Sequence, residues 1–258
     1  MNESGLRRLP FESVYNFRDL GGYPAGEGMQ TAYGRCYRCD GLTDLTLRDR
    51  NLLERLGVRT VIDLRMDVEC QRRPSSFAAQ GSPIRYVHVS PLSGLIDPGR
   101  LAASASMPVT PQKMAQLYIA MLEKNSGCFR EALSTAGLPG ALPMAFHCSE
   151  GKDRAGLLAM LLLGICGVSP VDIVADYQVS GTYIRHKYRT DPLWLGRETS
   201  DSDPQIMEQV LEHLEDTYGG ICAYAASIGV TRDTQQALRA QLLVPCILDG
   251  NLSASSRL

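Results

Sequence analysis

Apolar residues recur along the chain at two spacings, and the switches between them mark out strands and helices in turn. Leu52, Leu53 and Leu56 fall on one helical face, with Thr46 placed to cap the start and Gly57 to end it. The β-branched run Arg59-Thr60-Val61-Ile62-Asp63-Leu64 follows and predicts a strand after that helix. Ile84 to Val89 alternates apolar and polar positions and predicts another. Met114, Leu117, Tyr118, Met121 and Leu122 return to helical spacing, and Met144-Ala145-Phe146-His147 predicts a short buried strand ending at Cys148. From Ala155 to Cys166 the chain is almost continuously apolar. This reads as a buried helix closed by Gly167, with Ser169 and Pro170 opening the next. Met207, Val210, Leu211 and Leu214 line a helix after Asp203-Pro204, and Thr231 begins a further one through Leu238.

The intervening segments carry turn chemistry. Gly21, Gly22, Pro24, Gly26 and Gly28 make 17–28 a structured loop before a candidate strand at 34–40, and Pro91 to Pro111 is a long Ser-, Ala-, Gly- and Pro-rich loop. Polar and charged residues from Thr182 to Ser202 interrupt the packing signal, so 182–220 is expected to form a helical lid. The tail over 250–258 is expected to fray. The order of elements predicts one α/β domain over 1–258.

Composition narrows the partners. With 258 residues, 44% hydrophobic and 21% charged, the chain can bury a sizeable core, and a net charge of -2 supplies no broad attraction for nucleic acid or an acidic membrane. Any anion must be captured locally. No run is long and apolar enough for a transmembrane segment, and Met1 to Pro10 lacks the apolar stretch of a secretory signal. Eight scattered cysteines suggest reduced thiols and a cytoplasmic setting, with export by a route lacking a signal peptide as the alternative. Cys36 and Cys39 form a C-x-x-C without a second pair, and on a strand their odd spacing puts the thiols on opposite faces. Arg185, His186, Lys187 and Arg189 form either a solvated helix end or a substrate-guiding patch. His88 and His213 have no partner legible in the sequence.

Chemistry concentrates in His147-Cys148-Ser149-Glu150-Gly151-Lys152-Asp153-Arg154, a loop between a predicted strand and a predicted helix. Successive backbone N–H groups and a helix N-terminus can together cradle a phosphate dianion. The same partial charge favours a thiolate at Cys148, and Arg154, six positions on, can offer a planar fork to two phosphoryl oxygens. Gly151 suits a position where a side chain would press on the anion or demand negative φ. His147 can bond loop carbonyls and orient the cysteine. The bland reading is a buried structural cysteine beside a core histidine.

These residues resemble the Cys-x5-Arg signature of the protein tyrosine phosphatase superfamily, and Gly151-Lys152-Asp153-Arg154 is similar to its atypical bacterial branch of tyrosine/serine phosphatases, some of which act on phosphoinositides. Asn16 to Tyr23, Leu56 to Arg65 and Asp172 to Tyr177 resemble that branch in order and spacing. The resemblance implies a parallel-rich sheet flanked by helices and a two-step reaction without metal or cofactor. Cys148 would be the nucleophile, and Ser149, Glu150, Gly151, Lys152, Asp153 and Arg154 the substrate-binding loop. Phosphotyrosine is the first substrate it implies, then phosphoserine, phosphothreonine or phosphoinositide, with inorganic phosphate as product.

The leaving group needs an acid, and the resemblance makes Lys152 and Asp153 important. Asp153 is the first candidate acid and Asp63, at a strand end, the second; an ion pair is the other reading of Asp153. Asp19 is expected to hold the glycine-rich turn through backbone bonds. A classical Trp-Pro-Asp loop is absent, because Trp194 follows Pro192 and precedes Leu195. Ala155 stands where the family usually has Thr or Ser, so the cysteinyl-phosphate is expected to break down slowly. A phosphate-binding module that has lost turnover is therefore the alternative function. Glu150 weighs against a polyanionic lipid headgroup, while Lys152 leaves that substrate open.

Overall fold

A computed structural model of the chain describes residues 7–79, 81–96, 110–190 and 202–246. Trp194, the centre of the 91–111 loop and the 250–258 tail lie outside them, as does 191–201 of the expected lid.

The sheet is built around β6, Met144–His147, whose four residues are buried on both faces. β3 (Cys36–Cys39) and β4 (Thr60–Asp63) flank it in parallel, β5 (Arg85–His88) pairs parallel with β4, and β1 (Arg18–Asp19) closes the far edge antiparallel to β3. The register brings Cys39 and Asp63 level with His147, so three parallel strands end at the same height. Ligand sites in open α/β sheets lie just beyond such strand ends. A ribbon of β2 (Met29–Thr31) and β7 (Leu243–Pro245) stands apart.

Side chains alternate across the sheet and feed two cores. Cys36, Ile62, Met144 and Phe146 pack into the larger one; Tyr37, Cys39, Val61 and Ala145 pack into the smaller one. The two thiols of the C-x-x-C therefore do lie on opposite faces, as a period of two dictates. The smaller core is covered by α1 (Leu47–Arg55), capped by Thr46, whose hydroxyl accepts from the Asp49 amide at 3.1 Å.

The larger core surrounds α5 (Arg154–Ile165), in which every residue except Gly164 is buried. A helix apolar on all sides must be enclosed. Packed in this layer are α3 (Pro111–Lys124), α4 (Ser126–Gly137), α6 (Pro170–Thr190), α7 (Pro204–Tyr218), α8 (Ile221–Ser227) and α9 (Arg232–Leu242). Polar caps start several of them: Thr110 before Pro111, Ser169 before Pro170, Asp203 before Pro204 and Thr231 before Arg232.

The structure departs from the sequence pattern in three places. β1, β2, the helix over Asp67–Arg72, α4, α8 and β7 do not stand out in the periodicity; in α4 the buried Phe129, Ala132, Leu133 and Ala136 are mixed with polar and charged residues. The interruption expected at Thr182 is not there, because α6 continues to Thr190 with Ile184, Lys187 and Tyr188 buried at helical spacing. A lysine within that stripe concealed it. Within the expected lid, α7 contributes Ile206, Met207, Val210 and Leu214 to the larger core.

Candidate active site

The loop from Cys148 to Asp153 leaves β6 and enters α5, and its backbone is tied down from behind. The Cys148 carbonyl accepts from His147 Nδ1 at 3.3 Å, and the Ser149 carbonyl from Lys187 Nζ and the Gly41 amide, both at 3.4 Å. The Glu150 carbonyl accepts from Asn16 Nδ2 at 3.0 Å. Arg38 serves the next two, with Nε donating to Gly151 O at 2.9 Å and Nη2 to Lys152 O at 3.0 Å. A planar trans peptide sets its N–H opposite its C=O. Drawing the carbonyls of 149–152 outward therefore turns the amides of 150–153 toward the space the loop encloses, which makes an anion nest at the N-terminus of α5.

Gly151 is required by this arrangement. Its φ is 68°, in the left-handed region, and a Cβ would come within 2.4 Å of the Cys39 carbonyl group. The collision expected with a bound anion falls instead on the backbone of β3 behind the loop.

Arg38 could not span the sheet as an isolated buried charge. Asp176 of α6 accepts from Arg38 Nη1, from Arg18 Nε at 2.8 Å and from the Tyr23 hydroxyl at 3.1 Å. Arg18 also donates to Asn16 Oδ1 and to Ser180 Oγ. Burial pushes the Asp176 carboxyl up, but Arg18 and Arg38 outweigh it and hold it well below the ordinary range. Asp40 forms a second anchor, accepting from the Asn16 amide and Lys187 Nζ, each at 2.8 Å. Lys187 is therefore a buried support of the loop, not part of a solvated helix end. Asp19 accepts from the Gly21 amide at 2.9 Å and the Gly34 amide at 2.7 Å, holding the turn as its position suggested.

Within the cradle, Cys148 is 1% exposed and Arg154 8%. Ser149 Oγ donates to Glu69 Oε1, and Tyr188 OH to Glu150 Oε1. Lys152 is buried and its ammonium donates to Asp153 Oδ1 at 2.9 Å, while Tyr118 OH donates to the same carboxylate and lies 3.0 Å from Tyr177 OH. Burial raises the Asp153 pKa, but Lys152 and Tyr118 more than reverse this, so the group rests as an anion.

Asp63 does not join the cradle. It is fully buried, bound by Arg65 Nη2 at 2.6 Å, by the Arg65 amide at 3.0 Å and by Tyr86 OH at 2.9 Å. Burial pushes its carboxyl up, but His147 and Arg65 overcome this and leave it well below its ordinary range. Asp63 is thus engaged by Arg65 and Tyr86, whereas Asp153 stands on the loop itself. The two remaining histidines do have partners: His88 Nε2 meets the Arg65 carbonyl at 2.8 Å, and His213 meets Glu123 at 2.9 Å.

Glu69, at the third position of α2 (Asp67–Arg72), went unnoticed in the sequence. It pairs with Arg154 through both oxygens and accepts from the Met66 amide at 2.8 Å. Its place four residues beyond Arg65, where the matched segment ends, was the available signal. Asn16 and Asp176 stood inside matched segments and Lys187 in the basic cluster, whereas Arg38 and Tyr118 offered only a polar group in an apolar pattern.

Among the described residues no group of three or more His, Cys, Asp and Glu could hold a metal ion, and no helix is long and apolar enough to cross a membrane.

A cysteine and an arginine six apart, on a loop of inward-facing amides between a parallel strand and a buried helix, define the Cys-x5-Arg class of phosphate-loop proteins. Within that class the chain belongs to the tyrosine phosphatase family, whose model matches residues 9–244. A relative from Cupriavidus necator is 31% identical over 179 residues, a match that covers 67% of this chain and 63% of the relative's length. A tyrosine-protein phosphatase of Nostoc commune is 27% identical, covering 80% of this chain and 73% of that one. The triple specificity protein phosphatase of Mycobacterium tuberculosis is 24% identical, covering 92% and 99%.

Proposed function

We propose that the chain hydrolyses phosphomonoesters through a cysteinyl-phosphate, with phosphotyrosine as its first substrate. The observation that carries this reading is the loop whose carbonyls are bonded outward from Cys148 to Lys152. Such a nest has donors set in advance for the three phosphoryl oxygens, so little reorganisation is needed as charge develops. In the first step Cys148 Sγ bonds to phosphorus as the ester P–O bond breaks, and the leaving oxygen takes a proton. In the second, water attacks phosphorus, the S–P bond breaks and inorganic phosphate departs.

Asp153 supplies the proton in this proposal. It is ionised at rest, and a phosphoryl dianion entering the same loop raises its pKa by like-charge repulsion. Lys152 then holds the carboxyl in place and carries the compensating charge. The recessed Cys148, at 1% exposure, favours an aryl ester whose phosphorus stands far from the peptide backbone over the shorter phosphoserine. Phosphoserine, phosphothreonine and phosphoinositides are the further substrates of the same chemistry, and the family relatives named above support the protein substrates.

Hydrolysis of an aryl phosphate, unaffected by EDTA and abolished by Cys148→Ser, is the expected result; activity surviving that substitution would refute the reading. Asp153→Asn should lower kcat by about 10²- to 10⁴-fold for phenyl phosphate and much less for an ester with an electron-poor leaving group. Equal losses on both would return Asp153 to the role of a structural ion pair.

A further inference from the structure

The geometry points to Glu69 as the residue that orients Arg154, turning one edge of its guanidinium toward the phosphoryl group. This rests on the reading that Arg154 grips the phosphoryl oxygens. A guanidinium has five N–H donors in one plane, and two edges that can each grip a pair of oxygens. The end edge, Nη1 and Nη2, is taken by Glu69, with Nη1 donating to Oε2 and Nη2 to Oε1. The second hydrogen of Nη1 goes to the Leu64 carbonyl at 3.4 Å. Nη1 is then fully used. Among the described residues Nε donates to nothing, so Nε–H and the remaining Nη2–H are left, side by side on the other edge. Two parallel donors fit two oxygens of one phosphoryl group.

Glu69 is itself held rigidly enough to impose this. Oε2 also accepts from the Met66 amide at 2.8 Å, and Oε1 from Ser149 Oγ. Four donors thus converge on one carboxylate. One comes from the start of α2, one from the second residue of the loop and two from the arginine that ends it. Burial pushes the Glu69 pKa up, but Arg154 and Ser149 more than compensate, so the carboxylate stays charged. Glu69 therefore connects both ends of the cradle to α2. It leaves the side edge of Arg154 free, so it is a support for the arginine and not a competitor of the substrate.

The test uses the full chain with an aryl phosphate and with inorganic phosphate as inhibitor. Activity lost in Cys148→Ser secures the underlying site; its persistence would sink that reading independently of Glu69. Glu69→Gln keeps an acceptor for the Met66 amide, so α2 keeps its N-terminal bond, but loses the charge and sets an amide N–H₂ against a guanidinium nitrogen. The expected result is a fall in kcat/KM on the order of 10- to 100-fold, with inhibition by phosphate weakened by about tenfold. In an Arg154→Lys background, which has no fork to orient, Glu69→Gln should change kcat/KM by less than about threefold. A glutamate that only stabilises the fold would give the same factor in both backgrounds. That additivity, or unchanged kcat/KM and phosphate inhibition in Glu69→Gln, would overturn the inference. Should Glu69→Gln not fold, Glu69→Asp keeps the charge, shortens the reach and enters the same two-background comparison.

Discussion

At Ala155 the first turn of α5 presents an enclosed methyl group, where the resembled family carries a hydroxyl. Ser149 Oγ, the other hydroxyl near the cysteine in sequence, is committed to Glu69. No side-chain hydroxyl on the loop is then left to donate to Cys148 Sγ as the S–P bond breaks. A single hydrogen bond of about 1 kcal/mol corresponds to roughly a fivefold rate. Rapid-quench assays should therefore show a burst of leaving group before steady turnover, and Ala155→Ser or Ala155→Thr should raise kcat by about fivefold. Absence of both burst and gain would mean that breakdown of the intermediate is not limiting. The sequence also left Asp63, at a strand end, as the second candidate acid after Asp153. Environment separates them: one carboxylate is saturated by Arg65 and Tyr86, and the other shares the anion's loop with Lys152.

Between elements, the cradle depends on β3 and α6 gripping a loop that neither contains. Arg38 of β3 holds the Gly151 and Lys152 carbonyls, Lys187 of α6 holds that of Ser149, and Asp176 of α6 holds Arg38. The close approach of Gly151 to Cys39 is the steric side of the same contact. Gly151→Ala should displace the loop from β3 and, with a misplacement of about 1 Å, lower kcat/KM on the order of 10²-fold. The folded chain should keep its far-UV circular dichroism. Wild-type activity in that variant would show that the loop does not need its contact with the strand. The strand at β3 and the start of α6 followed from periodicity and caps, whereas the continuation of α6 past Thr182 did not. The clamp did not, because Arg38 and Lys187 are polar residues at buried positions, and a hydrophobicity pattern assigns such residues to solvent.

For the whole molecule, buried carboxylates of opposite behaviour set the dependence of stability on pH. Asp176 and Asp63 have pKa values held down by arginine partners, so at low pH the unfolded chain binds more protons than the folded one. Their contribution is present above about pH 4 and is lost as the pH falls below it. Asp19 works in the other sense: burial lifts its pKa to about 6 against its two backbone bonds. The folded chain then holds its proton more tightly, and that contribution is lost as the pH rises through about 6. Thermal melts across pH should show a steep acid limb below about pH 4. Asp176→Asn should flatten that limb and cost about 3–5 kcal/mol near neutral pH, because two buried arginines lose their counter-ion. A limb unchanged in steepness would show that Asp176 is not a source of acid sensitivity.

What the sequence determined by itself was local. The β-branched run at 59–64, the alternation at 84–89, the apolar run after Arg154 and the caps at Thr46, Ser169, Asp203 and Thr231 specify elements through bonds and side-chain periods of a few residues. The Cys148 to Arg154 spacing specified a phosphate loop for the same reason. The tertiary structure alone decided which groups hold that loop open, since Asn16, Arg38, Glu69 and Lys187 converge on it from widely separated positions and Asp176 holds Arg38 behind it. It also decided that Asp63 is spent on Arg65 and Tyr86 while Asp153 faces Lys152 and Tyr118. The physical reason is common to both. A buried charge is defined by its partners, and those partners are set by the packing of strands and helices rather than by neighbouring positions in the chain.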